Sequence, residues 1–206
     1  MPGKAHFLLW AVPIAALLGC NSGPAKIDIP AVDAASAASG AIELADKNGD
    51  GAIAKDEAVA APSLKAEFDK YDANKDGKLD HSEIEARIAS WTARGAKVVN
   101  ITFFVKLDGR PLEGAKVLLE PEPFMGDVLA IGESGVSASG ACGPTVPQEL
   151  LSKQVPVGMF SGLYRIKITH PQNQVPAKYN EQTELGVEVA PDYDFFNPKT
   201  FALSSK

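Results

Sequence analysis

Two twelve-residue stretches constrain this chain more than anything else in it. The first is Asp46-Lys47-Asn48-Gly49-Asp50-Gly51-Ala52-Ile53-Ala54-Lys55-Asp56-Glu57, and the second is Asp72-Ala73-Asn74-Lys75-Asp76-Gly77-Lys78-Leu79-Asp80-His81-Ser82-Glu83. In each, oxygen-bearing side chains stand at positions 1, 3 and 5. Glycine stands at position 6, an aliphatic residue at 8 and glutamate at 12. Alternate residues on a tight loop turn their oxygens to one side, and glycine at position 6 admits a turn that a Cβ would obstruct. A hard cation such as Ca2+ takes about six to eight oxygen ligands, which is what this spacing offers.

The expected ligands of loop 1 are the side chains of Asp46, Asn48 and Asp50, the carbonyl of Ala52 and a bidentate Glu57. Ala54 at position 9 leaves that place to water. Loop 2 offers Asp72, Asn74, Asp76, the carbonyl of Lys78, Asp80 and Glu83. Two Ca2+ sites are predicted, the second tighter because it carries one more carboxylate. Ile53 and Leu79 should pair the loops through a short antiparallel ribbon, and His81 should face solvent. One such run is compatible with a solvated turn; a second full copy argues against that. Over residues 41–94 the pattern resembles the EF-hand family, and the resemblance implies calcium binding.

The chain between the loops, Ala58 to Tyr71, is short. Pro62 divides it, and Ser63 is the expected N-cap of the helix that follows. Leu64, Phe68 and Tyr71 fall on one helical face, as do Ile84, Ile88 and Trp91 after loop 2. Helices this short give little leverage for a sensor that opens a groove, so a structural or moderate-affinity calcium site is expected in place of a switch.

Residues 1–19 read as a signal peptide. Lys4 precedes the apolar run Phe7 to Leu18, which is too short to span a hydrocarbon core of about 30 Å. The run ends in Leu17-Leu18-Gly19-Cys20, which resembles the lipobox of bacterial lipoproteins. That resemblance implies lipidation of Cys20, a membrane partner through the lipid, and, with Asn21 next, an outer-membrane location. Residues 20–40, rich in Ala, Ser, Gly and Pro, read as the lipidated cysteine and a flexible tether.

The net charge is −6 and no basic run occurs, which excludes sequence-independent nucleic-acid binding because that needs clustered Lys and Arg. Three His and two Cys exclude a Cys/His zinc framework and a disulfide scaffold.

Residues 41–97 are charged and helical in pattern, and residues 98–206 read as strands and turns, with the boundary near Gly95. Strands are expected at Val98 to Leu107, Ala115 to Glu120, Val128 to Ile131, Leu163 to His170, Leu185 to Val189 and Thr200 to Leu203. Asp108-Gly109 marks a hairpin, and 148–153 is the one helical pattern in this half. The fold class is therefore α+β in two domains: a small α-helical EF-hand pair followed by an all-β antiparallel sandwich. LDGRPLEGAKVLLEP (107–121), GLYRIKITHP (162–171) and VPAKYNEQTELGVEVAP (175–191) resemble the transthyretin-like, carboxypeptidase-regulatory-like sandwich of bacterial lipoproteins. Those motifs are structural and carry no chemistry.

The chain thus reads as a calcium-binding, lipid-anchored envelope protein with a structural or adhesive role and an unidentified envelope-protein or glycan partner. A rival reading makes the sandwich a carbohydrate- or peptide-binding module, with Tyr179, Tyr193, Phe195 and Phe196 as candidate platforms. An enzyme is not expected: Cys142 and His170 alone would have to carry it, and no histidine neighbours Cys142 in sequence.

Overall fold

The computed structural model describes residues 29–93 and 98–206. The signal peptide, Cys20 and the boundary at Gly95 lie outside the described residues.

Helix α1 spans Ala34–Ala45, with Asp33 as N-cap accepting the Ser36 amide at 2.7 Å. Residues 34–40, which composition assigned to the tether, are thus helical. Alanine is the strongest helix former, and Ala37, Ala38, Ala41 and Ala45 form a buried stripe small enough for close packing. A Cβ at Gly40 would meet Phe124 Cβ at 3.0 Å. Loop 1 follows, then strand β1 (Ala52–Ala54) and a 3-10 turn, Glu57–Ala60. Helix α2 (Pro62–Ala66) and helix α3 (Phe68–Tyr71) lead into loop 2, strand β2 (Lys78–Asp80) and helix α4 (His81–Ala93).

The expected Ser63 cap is not what starts α2. Ala61 takes the cap position and Pro62 the first helical one. The Ser63 amide instead donates at 2.9 Å to the carboxylate of Glu122, a residue of the β half. The leftover amides of a helix start need an acceptor, and here tertiary structure supplies it.

The β half comprises β3 (Val98–Val99), β4 (Phe103–Leu107), β5 (Arg110–Pro111), β6 (Lys116–Pro121), β7 (Gly132–Gly135), β8 (Ala141–Cys142), β9 (Met159–Phe160), β10 (Gly162–Thr169), β11 (Gly186–Val189) and β12 (Thr200–Leu203). One sheet has the order β11-β10-β6-β7. A second has β12-β4-β5, with β8 also on β4, and β3 pairs with β9. The layout is the expected α+β one, helices around the loops followed by sheets. One pairing departs from an all-antiparallel reading: β12 lies parallel to β4, because the segment 190–199 crosses from the first sheet to the second before β12 begins. The hairpin at Asp108-Gly109 forms as expected, with φ of 49° and 81°, the left-handed pair a two-residue turn needs.

Two strand expectations change. Val98 to Leu107 breaks in two, because its ends pair with different partners, β9 and β12. At the break the Tyr193 hydroxyl donates to the Thr102 carbonyl. No strand forms over Val128 to Ile131. A 3-10 segment occupies Pro123–Val128 and the strand starts at Gly132. Val128 and Ile131 are exposed while Leu129 between them is buried in the core, so the run sends in one anchor and pairs with no strand.

In β10, Tyr164, Ile166 and Ile168 are buried as the alternation requires. They face Val117, Leu119 and Val187 in the register of the sheet. In β11 every residue is buried, although the strand lies at the edge of its sheet. Val187 and Val189 point to one face and Gly186 and Glu188 to the other. That second face is covered by the helical half. A Cβ on Gly186 would stand 2.2 Å from the Ser63 amide nitrogen and 2.3 Å from the Pro62 carbonyl carbon. The bare glycine is what lets α2 lie on the strand. The buried apolar residues of both halves accordingly form one continuous core.

Candidate metal centre

Both loops turn at the predicted glycine: Gly51 and Gly77 share a φ of 85°. Ile53 and Leu79, both fully buried, are directly opposed in the antiparallel ribbon of β1 and β2, flanked by Ala52↔Asp80 and Ala54↔Lys78.

The internal hydrogen bonds of the two loops repeat almost one for one. The first aspartate of each caps the amide of the position-6 glycine, Gly51 to Asp46 at 2.9 Å and Gly77 to Asp72 at 3.0 Å. Its other oxygen takes Gly49 in loop 1 and Asp76 in loop 2. Asn48 and Asn74 accept the amides of Asp50 and Asp76. Asp50 and Asp76 in turn accept those of Ala52 and Lys78. The closing glutamate reaches back across the loop. Glu57 Oε1 accepts Lys47 and Asn48 and its Oε2 accepts Ala54. Glu83 takes Ala73, Asn74 and Asp80 in the same way. Position 12 therefore stands over positions 2 and 3 in both loops.

Among the described residues, no three His, Cys, Asp or Glu side chains stand close enough together to hold a metal by themselves. The expected sites also use asparagine and backbone carbonyl oxygen, and their carboxylates are engaged with loop amides, so ligation needs those oxygens to share or exchange partners. The donor set, all oxygen with a mix of carboxylate, amide and carbonyl, fits a hard divalent cation.

The loops differ in three ways. Lys78 of loop 2 reaches Asp50 of loop 1, Nζ to carboxylate at 2.7 Å, and this bond holds the Asp50 carboxyl below its usual range. Asp80 serves as a helix cap: its carboxylate accepts the Ser82 hydroxyl at 2.6 Å and the Glu83 amide at 2.9 Å, which lowers its pKa. His81 does not face solvent alone. Its Nε2 lies 3.0 Å from the Ser39 hydroxyl and 3.2 Å from the Ala35 carbonyl, tying α4 to α1.

Sequence reasoning missed one residue behind loop 2. Glu188 of β11 has a fully buried side chain. It accepts Arg87 Nε at 2.7 Å and Nη2 at 2.6 Å, Lys70 Nζ at 2.8 Å, and the Tyr71 hydroxyl and Trp91 Nε1 at 3.0 Å each. Burial would raise its pKa, but the Arg87 and Lys70 contacts outweigh burial and hold it below the usual glutamate range. Arg87 also pairs with Asp192. The only hint in sequence was an acid inside an apolar strand, Gly186-Val187-Glu188-Val189. Glu122 is its opposite: burial raises its pKa, and its second oxygen has no hydrogen-bond partner.

Cys142, His170, Tyr179 and Tyr193 are packed or bonded within the fold, whereas Phe195 and Phe196 are not buried. Cys142 is buried on β8, and burial pushes its thiol up to about 11. His170 Nε2 lies 2.8 Å from the Glu113 carbonyl, while its Nδ1 accepts the amides of Gln172 and Asn173. This arrangement puts the proton on Nε2. Tyr179 is half-buried with its hydroxyl accepting the Ser204 amide. Tyr193 packs edge-on against Phe103 and Phe195. Phe195 and Phe196 are exposed, at 57% and 94%.

In comparisons with known proteins, residues 64–88 match the family model described as EF hand. The match runs from α2 through loop 2 into α4 and supports calcium binding. No curated protein and no solved structure matches the chain.

Proposed function

We propose that the chain binds two calcium ions, one in each loop, in a lipid-anchored envelope protein whose calcium is structural. The observation that carries this is the repeated bonding of the loops. Loop 1 lies outside the matched segment, yet its glutamate closes over positions 2 and 3 as in loop 2. The proposed ligands are Asp46, Asn48, Asp50, the Ala52 carbonyl and Glu57, and Asp72, Asn74, Asp76, the Lys78 carbonyl and Glu83, with Asp80 through water since its carboxylate caps α4. Docking of α2 and of both helices of loop 2 onto β11 supports a fixed rather than an opening hand. The leader and the Leu17-Leu18-Gly19-Cys20 motif support the anchor, and the turn and strand motifs of residues 107–191 support a transthyretin-like β half. The reading assigns no catalysis: a buried thiol with a raised pKa is a poor nucleophile.

Calorimetric titration of the full chain should show two Ca2+ bound. At calcium about 100 times Kd, binding contributes about 2.7 kcal/mol to stability, so a chelator should lower the melting temperature. A chain that binds no calcium at millimolar concentration rejects the proposal. A second reading, glycan or peptide binding, is favoured by one observation, the exposed Phe195 and Phe196 beside Tyr193. Loss of glycan-array signal in Phe196→Ala would support it.

A further inference from the structure

We infer that Glu188 is the positioning residue that couples cation binding at loop 2 to the fold of the β half, an inference that rests on the reading of loop 2 as a calcium site. The side chains that meet at Glu188 come from both sides of the loop. Lys70 and Tyr71 belong to α3, which ends where loop 2 begins. Arg87 and Trp91 belong to α4, which contains Glu83. All four donate to one carboxylate that is closed to solvent.

The placement relative to the ligands is what matters. Tyr71 immediately precedes Asp72, the first ligand of the loop. Arg87 lies four residues beyond Glu83, the last ligand, and so shares its helix face. Asp72 and Glu83 must approach the same ion from opposite ends of the loop. Their separation is therefore referred to a third point, on β11. Arg87 is a rigid reference: its Nε and Nη2 grip Glu188 side-on while Nη1 and Nη2 hold Asp192. Loop 1 is backed differently: α1 meets the β half through Gly40 and Phe124, and its exit reaches β11 through α2, with no ionic clamp gripping both its ends among the described residues.

A buried ionic cluster is weak evidence for stability in itself, since desolvation offsets most of the attraction. What this one does is fix two helices in one geometry. Linkage then works in both directions. If an intact β11 favours the geometry that binds calcium, calcium at loop 2 must stabilise β11 and the sheet behind it by the same factor.

The test uses the full chain, with Ca2+ itself as the probe. Calorimetric titrations compare wild type with Glu188→Gln, which keeps the side-chain volume and one acceptor but removes the charge. The expected result is an affinity at loop 2 about tenfold weaker. In a Glu83→Gln background, where only loop 1 remains, Glu188→Gln should leave binding unchanged. A second readout is the labelling rate of Cys142 by a thiol reagent, followed on its own peptide by mass spectrometry. Cys142 is buried on β8, so it reports opening of the β half. Calcium should slow labelling about tenfold in wild type and markedly less in Glu188→Gln, where only loop 1 is unaffected. A folded Glu188→Gln chain that binds calcium like wild type at both loops overturns the inference, as does equal calcium protection of Cys142 in both chains. Absence of calcium binding in wild type would instead reject the underlying reading. If Glu188→Gln does not fold, Tyr71→Phe removes a single donor and carries the same test: several-fold weaker loop 2 affinity supports the coupling, and wild-type affinity overturns it.

Discussion

In loop 1 the closing glutamate opens into a four-residue 3-10 turn, Glu57–Ala60. In loop 2 it sits in the first turn of a thirteen-residue helix, α4, that is tied by Arg87 and Trp91 to the neighbouring sheet. The two loops make nearly the same bonds inside themselves. They differ in charge as well: Asp50 of loop 1 already holds a lysine from its neighbour. The contrast teaches that the loop residues set which oxygens are offered, while the surroundings set how firmly they are held and how much attraction remains for an ion.

The sharpest way to break the comparison is to remove each closing glutamate in turn. Glu83→Gln should weaken loop 2 by more than about 100-fold, beyond the 10–100-fold that a supporting residue costs. Glu57→Gln should change total binding less, because loop 1 has fewer carboxylates. Calorimetry on both variants checks this, and equal losses would erase the asymmetry.

Gly186→Ala tests the seat of α2. The new Cβ would stand 2.2 Å from the Ser63 nitrogen, so α2 must lift from the strand. Overpacking of this kind costs about 1–3 kcal/mol, which at about 2–4 °C per kcal/mol for a chain of this size lowers the melting temperature by several degrees. Loop 2 should lose more calcium affinity than loop 1, since α2 leads into α3.

Glu122→Gln sharpens the comparison through pH. Burial raises the folded-state pKa of Glu122 above its unfolded value of about 4.3. The favourable contribution of its protonated form is complete below the unfolded value and disappears as pH rises through the folded one. At pH 7 the carboxylate is therefore a burden that glutamine lacks, while glutamine still accepts the Ser63 amide. The variant should be more stable at pH 7, by less than burial alone implies because the Arg165 contact at 3.8 Å is also lost, and no more stable at pH 3, by denaturant titration. Loop 2 affinity should not move.

The smallest effect is expected from Lys78→Met. Removing the cation beside Asp50 should tighten loop 1, by no more than about fivefold because the pair is exposed. The increase should fade at high salt. Binding curves in low and high salt decide it; a weaker loop 1 would mean that Lys78 supports the site by orienting Asp50.

Much of the site was legible because it is local. Positions 1, 3, 5, 6 and 12 of each loop bond within that loop, and position 8 pairs between the loops as Ile53 with Leu79. The apolar face Ile84, Ile88, Trp91 was legible for the same reason; Leu64, Phe68 and Tyr71 are buried as expected, but on two short helices broken at Glu67 and not on one. The Ser63 cap was not, because its amide is taken by Glu122, a residue far along the chain. Nor was helix α1: its Ala, Ser and Gly composition suits a linker as well as a tightly packed helix, and only the presence of α4 and Phe124 beside it selects the second. The strand expected at Val128 failed because apolar content marks burial, which Leu129 achieves, but not the strand pairing that a neighbouring chain segment must supply.

What the sequence determined by itself is therefore the chemistry within reach of one turn of chain: oxygen donors in order, glycine where the backbone must turn left-handed, and alternation in strands such as β10. What only the tertiary structure decided is where those pieces lean. Glu188 reads in sequence as an acid in a strand. Its role depends on Lys70, Tyr71, Arg87 and Trp91, about a hundred residues distant along the chain, arriving at one point. No local pattern specifies that meeting, because the energy of a buried carboxylate depends on the donors that surround it once water has been excluded.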